Sequence, residues 1–157
     1  VCSSDLAELS AAINAGIASG NGLDAADVLK AEVEDGALEI TYAGSTAGKV
    51  SVIRVDLADP TVITVVATDR TANEDELDML ALLPNVNVSV LDALTAAAAQ
   101  WPGATFHEVE LDQEDVGGGG GNDDNGGDDG EQEIVAWTFK IIPASGLPFE
   151  GHLPASN

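Results

Sequence analysis

The residues best suited to chemistry in this chain lie in one acidic, glycine-rich stretch. From Glu108 to Glu133 the sequence holds eleven carboxylates and no basic residue. Calcium takes about six to eight oxygen ligands on a flexible backbone, and Asp, Asn and Gly together supply such a site. The candidate metal ligands are therefore Asp123, Asp124, Asp128 and Asp129.

The spacing of these oxygens does not fit a regular calcium loop. When Asn122, Asp124 and Gly126 are aligned with the first ligand positions of an EF-hand loop, Gly127 falls at the required glycine but the third side-chain ligand is lost. The glycine run also lacks the nonapeptide repeat of calcium-binding β-rolls. We therefore expect a solvated insertion over residues 112–133 and no cofactor, with weak calcium binding by this loop as the alternative.

Acid–base chemistry would need a histidine, and the chain has only His107 and His152. His107 precedes Glu108 and could form an acid–base pair with it. The two histidines lie far apart in sequence, which argues against zinc. No serine has the flanking pattern of a hydrolase nucleophile, and no phosphate-binding glycine loop is present. We therefore predict no catalytic residue, no cofactor-binding residue and no enzyme activity.

Charge and composition narrow the classes of partner. The chain has 28 acidic residues against five basic ones, a formal net charge of −23. Nucleic acids and anionic membranes both require clustered Lys or Arg, so neither is an expected partner. No apolar run approaches the roughly 20 residues of a membrane-spanning helix. A protein or peptide partner remains the expected class.

Hydrophobic periodicity predicts a helix followed by strands in the first half of the chain. Apolar residues spaced three or four apart predict a helix over residues 6–17. Asp35 and Gly36 lie between two alternating segments and predict a two-residue hairpin turn with positive φ at both positions. Two more strands are expected over residues 49–57 and 61–68.

A short connector helix is predicted between the halves. The segment from Thr71 to Glu74 has the spacing of a capping box. The helix after it would turn four apolar residues inward and end at Pro84. Those residues are Leu77, Leu80, Ala81 and Leu83.

The second half repeats the order of the first. Ser89 can cap a second long helix, which Pro102-Gly103 ends. A strand over residues 104–111 follows, with a bulge near His107. A strand over residues 134–142 turns Val135, Trp137, Phe139 and Ile141 to one side.

This order predicts an α+β fold with helices packed on an antiparallel β-sheet, built by tandem duplication of a helix-plus-hairpin unit. The first unit is expected over residues 1–70 and the connector over 71–87. The second unit is expected over 88–143, carrying the acidic insertion, and an irregular tail over 144–157.

The second half resembles the PepSY domain family. The resemblance is carried by the segment from Val88 to Asp112, which includes Pro102-Gly103, and by the strand that contains Trp137. The first half looks like a diverged second copy. The chain departs from the family pattern in the length of its acidic insertion, and in a Pro-containing tail where the family has a final strand.

The resemblance implies a non-catalytic binding or regulatory module. PepSY domains occur in peptidase propeptides, where inhibition is proposed, and in secreted or membrane-attached bacterial proteins. The resemblance therefore implies a bacterial, extracytoplasmic protein, periplasmic or secreted, that binds a protein partner. The expected mode is addition of a strand to a sheet edge, or packing of a partner segment against a sheet face.

Overall fold

The structure, a computed structural model, describes residues 5–115 and 133–155. The helices are α1 (Leu6–Ala18), α2 (Glu74–Leu82) and α3 (Val90–Gln100). The strands are β1 (Val28–Glu34), β2 (Ala37–Ala43), β3 (Lys49–Asp56), β4 (Ile63–Thr71), β5 (Thr105–Asp115), β6 (Glu133–Ile142) and β7 (Phe149–Pro154). Within these ranges no single helix is long and apolar enough to cross a membrane; α2 and α3 together pass that test only across an 89° bend.

All seven described strands form one antiparallel sheet in the order β4-β3-β2-β1-β5-β6-β7. The predicted α+β class is therefore confirmed. Each half contributes a long helix followed by a meander of strands, and the two meanders meet where β1 pairs with β5. A duplicated gene would produce this arrangement, and the duplication itself stays a prediction.

One face of the sheet carries the main core. The alternation predicted for the strands is confirmed: Leu38, Ile40 and Tyr42 are buried on this face, as are Trp137 and Phe139. Helices α1 and α3 cover it and contact each other. Aliphatic and aromatic side chains bury most of their surface here, at about 25 cal/mol per Å² of apolar area, so this layer supplies most of the stability.

Local sequence signals explain the ends of these elements. Asp35 and Gly36 both have positive φ, 49° and 77°, as the hairpin prediction required. Ser89 Oγ accepts a hydrogen bond from the Asp92 amide at the start of α3. The indole Nε1 of Trp137 donates to the carbonyl of Val88, which ties β6 to the entry of α3.

Helix α2 lies on the opposite face and differs in two details from the prediction. Its cap is Asn73, whose side chain accepts from the Glu76 amide, rather than Thr71. Leu77 and Ala81 were expected to point inward, but both are exposed, Leu77 by 46%. The reason is that α2 buries a narrow stripe, Met79 and Leu80, against a small second core.

The prediction of an irregular tail over 144–157 was wrong for its central part. Residues Phe149–Pro154 form β7, which pairs with the outer edge of β6. Ala155 is buried, and its amide donates to Val135 while its carbonyl accepts from the amides of Asn87 and Val88. Prolines at 148 and 154 flank the strand, where missing amide protons are tolerated at an edge.

Candidate functional site: an acidic cleft on the polar sheet face

A cleft large enough for a ligand lies between α2 and the polar face of the sheet. Among the described residues this cleft has a volume of about 860 Å³, and strands β1, β2 and β5 form its floor. Seven carboxylates and two basic side chains line it. Binding sites are usually concave, so this cleft is the candidate site, although its lining is more polar than that of most small-molecule pockets.

Strand alternation places the charges on this face. Over residues 30–34 of β1 and 108–112 of β5, apolar residues packed under α1 and α3 alternate with charged residues on the other side. Register then brings them together, because Lys30 is paired with Glu110 and Glu32 with Glu108. The β1–β5 contact joins the halves of the chain, so the centre of the cleft floor is built from both.

Glu108 is a buried charge on the same sheet face, beside the cleft-lining residues Lys30 and Glu110. Its side chain is 5% exposed, and its carboxylate lies 2.8 Å from Lys140 Nζ and 3.4 Å from Lys30 Nζ. Lys30 also lies 3.3 Å from Glu32. Burial acts to raise the pKa of Glu108, but the hydrogen bond from Lys140 and the charge of Lys30 outweigh it, so this pKa lies below its ordinary value.

Glu110 has the opposite environment. Burial first, and then the neighbouring Glu108 carboxylate, raise the pKa of Glu110 to about 7. Lys30 and Lys140 form their ion pairs with Glu108, so their positive charge offsets the raised pKa of Glu110 only in part. Two neighbouring carboxyls on this sheet face thus have opposite pKa shifts, lowered for Glu108 and raised to about 7 for the cleft-lining Glu110.

An ion pair between Arg70 and Glu76 stabilises the rim of the cleft, where β4 leads into α2. Arg70 donates two hydrogen bonds to Glu76, at 2.9 Å and 2.7 Å, in a bidentate arrangement. The same Glu76 carboxylate accepts from the Asn73 amide and closes the capping box. The Arg70 hydrogen bonds are the main cause that holds the pKa of Glu76 below its ordinary value.

One cluster has the composition of a metal site. Glu32, His107 and Glu108 each bring one ligand atom to within 4.8 Å of the others. A histidine with two carboxylates suits zinc. Both carboxylates already contact Lys30, and Glu108 also contacts Lys140, so ammonium groups supply the positive charge that a metal ion would bring. We assign no metal site to these residues.

The site residues named from the sequence are only partly located. Asp123, Asp124, Asp128 and Asp129 lie outside the described residues, as does most of the insertion over 112–133. The described part of that insertion is strand, since β5 continues to Asp115 and β6 begins at Glu133.

The two histidines are on separate elements. His107 lies at the predicted bulge, where the β5–β6 register shifts between Phe106 and Glu108. The ring of His152 lies 3.0 Å from the Thr138 hydroxyl, and 3.7 Å from Glu150.

Sequence reasoning missed the cleft itself. Its signal was the regular occurrence of charged residues at alternate positions of strands whose other side is apolar, as in Lys30-Ala-Glu32 and Glu108-Val-Glu110. That pattern is typical of a solvated face. Only the docking of α2 over this face turns it into a cleft.

Comparison of the chain with family models, curated proteins and solved structures found no match.

Proposed function

We propose that this protein is a non-catalytic, PepSY-like binding module whose cleft receives a cationic segment of a partner protein. The observation that carries the proposal is the cleft of about 860 Å³ with its seven carboxylates and two bases. An excess of negative charge in a concave, partly desolvated space attracts cations more strongly than the same charges on an open surface. Lys or Arg side chains are the cationic groups that a protein partner would offer.

Two features support a binding role over catalysis. The buried carboxylate Glu108 is held by two lysines, so it stabilises the sheet next to the cleft. The described cleft lining includes no Ser, Cys or His that could act as a nucleophile or a shuttling base. The whole chain, at −23, would also steer a basic partner toward the protein over long distances.

The resemblance adds a setting to this proposal. The order of helix, Pro102-Gly103 turn and hairpin is consistent with a PepSY unit. On that basis the module acts outside the cytoplasm of a bacterium and regulates a peptidase or a similar protein. Sequencing the flanking region should then reveal a secretion signal upstream and a peptidase or sensor gene nearby. A cytoplasmic enzyme fused in frame would contradict this setting.

Titration calorimetry with short cationic probes tests the cleft directly. Tetralysine and spermine should bind the whole protein, and neutral peptides of equal length should not. The variant D75N/D78N/D112N removes three cleft charges and should weaken binding about tenfold, since each charge contributes roughly 0.5 kcal/mol. All three side chains line the cleft.

A charge-matched control separates the cleft from the overall field. The variant E8Q/E34Q/D92N removes the same number of charges from exposed positions that do not line the cleft. It should change the affinity less than twofold at about 0.15 M salt, where fields beyond about 8 Å are screened. Equal weakening by both variants would mean that the probes sense only net charge, and the proposal would fail.

A further inference from the structure

Strand β4 ends the sheet on one side, and its residues 63–68 carry no charge. No described strand pairs with its outer side. Val65 and Val66 are 49% and 51% exposed, and Val62, just before the strand, is 51% exposed. From Thr61 to Thr68 the sequence has neither a charged residue nor a proline. Such an edge presents unpaired backbone groups to any strand that approaches it.

At the other edge of the sheet, β7 is protected against pairing with a further strand, and this distinguishes it from β4. Strand β7 has six residues against nine in β4. It carries Glu150 and His152, and Pro154 ends it. Charges, prolines and short length are the usual means by which proteins prevent edge-to-edge pairing. In β4 the protective features are two charged residues near its end, Asp69 and Arg70, and bulges, where its register against β3 shifts between Val50 and Ile53.

The distribution of charge indicates which strand could pair with β4. Residues 49–71, which span β3 and β4, contain three acids and three bases. The remainder of the chain therefore holds 25 acids and two bases. Two copies of the chain repel each other strongly almost everywhere, and repel least where β3 and β4 meet solvent.

We propose that β4 pairs in an antiparallel manner with β4 of a second copy, which joins two sheets across a two-fold axis. Such a contact is isologous, because the same uncharged segment faces itself. Backbone hydrogen bonds supply the affinity, and the half-exposed valines become covered by their symmetry mates. The bulges limit the straight part of the strand, so the dimer is weak and forms in the micromolar range or above.

Sedimentation equilibrium of the whole protein at several salt concentrations tests this inference. The average mass should rise toward twice the monomer mass as protein concentration rises, and the dissociation constant should fall as salt screens the acidic surfaces. Hydrogen-exchange mass spectrometry should show that protection of Ile63–Thr71 increases with protein concentration. If the chain stays monomeric at every concentration and salt level, the proposal is wrong. A strand of another protein then becomes the expected partner of β4.

Matched lysine substitutions locate the contact. V65K places a charge on the exposed part of β4 and should raise the dissociation constant at least tenfold, and V66K should act in the same way. L147K changes a residue that is 86% exposed between β6 and β7, and should leave the dissociation constant within twofold. Circular dichroism confirms that each variant is folded. Dimerisation that survives V65K and V66K, or that is lost in L147K, rules out the β4 contact.

Discussion

The carboxylate of Glu108, almost fully buried on β5, lies 2.8 Å from the ammonium of Lys140 on β6. The same carboxylate also contacts Lys30 on β1, so one buried charge links three neighbouring strands. A buried charge is tolerated only when it is paired, and removal of one partner is costly even where the pair itself adds little net stability.

Substitution of Lys140 tests this pairing. K140M should lower the free energy of unfolding by about 1–3 kcal/mol, because Lys30 alone then compensates Glu108. The double variant K140M/E108Q should recover part of that loss, since glutamine carries no charge. Urea denaturation of the four proteins in the cycle measures the coupling. Purely additive losses would show that the two side chains do not interact.

The pH dependence of stability should reveal Glu110. Between its ordinary value near 4.5 and its raised pKa of about 7, the folded protein holds a proton that the unfolded chain has released. The contribution of this group to stability is therefore present at low pH and is lost as pH rises through about 7. E110Q should be more stable than the parent protein at pH 8, by about 1–2 kcal/mol, and equal to it near pH 4.

The control for Glu110 is E34Q, which removes a charge from the exposed end of β1. It should shift the denaturation midpoint by nearly the same amount at pH 5 and pH 8. If E110Q and the parent protein show parallel stability curves from pH 4 to pH 8, burial does not hold a proton on Glu110.

Glu76 should be important for the start of α2. E76A removes both the bidentate contact with Arg70 and the hydrogen bond to the Asn73 amide. We expect a loss of about 1.5–3 kcal/mol and faster amide exchange in the first turn of α2. E74A, which changes an exposed residue of the same turn, should cost less than about 0.5 kcal/mol. Similar losses in the two variants would contradict a specific role for the cap.

Gly151 lies directly beneath Trp101. A Cβ atom at this position would come within 2.7 Å of the Trp101 ring and of Ile141. G151A should therefore cost about 1–3 kcal/mol through overpacking. In the W101F background, where the ring is smaller, the same change should cost clearly less. Thermal unfolding of the four proteins measures this difference, and an equal cost in both backgrounds would mean that Ile141, not the Trp101 ring, opposes the methyl group.

Much of the fold could be predicted because its signals are local. The turn at Asp35-Gly36 depends on two residues with positive φ, and the strand around Trp137 depends on strict alternation. The cap at Ser89 needs only the amide three residues later. Such features are decided within about ten residues of sequence.

The features that could not be predicted depend on distant pairing. β7 reads as irregular because of its prolines and glycine, yet the open edge of β6 supplies its hydrogen bonds. The cleft depends on which strands become neighbours, since Lys30 of β1, Glu39 of β2 and Glu110 of β5 line it together. The titratable residues near Glu108 in sequence are His107 and Glu110. Lys30 and Lys140, which lower the pKa of Glu108, lie far from it in sequence.

The pairing of β1 with β5 forms the seam between the two halves of the sheet, and it has a consequence for folding. β1 and β5 are paired at three positions, fewer than any other neighbouring strands of the sheet. The other described strand pairs join consecutive strands of the chain, whereas this one must close a loop that runs through β2, β3, β4, α2 and α3. Closing such a loop costs chain entropy, and the stabilising β1–β5 contacts form only after that cost has been met. We therefore expect each meander to form early and the seam to form late, as the rate-limiting event of folding.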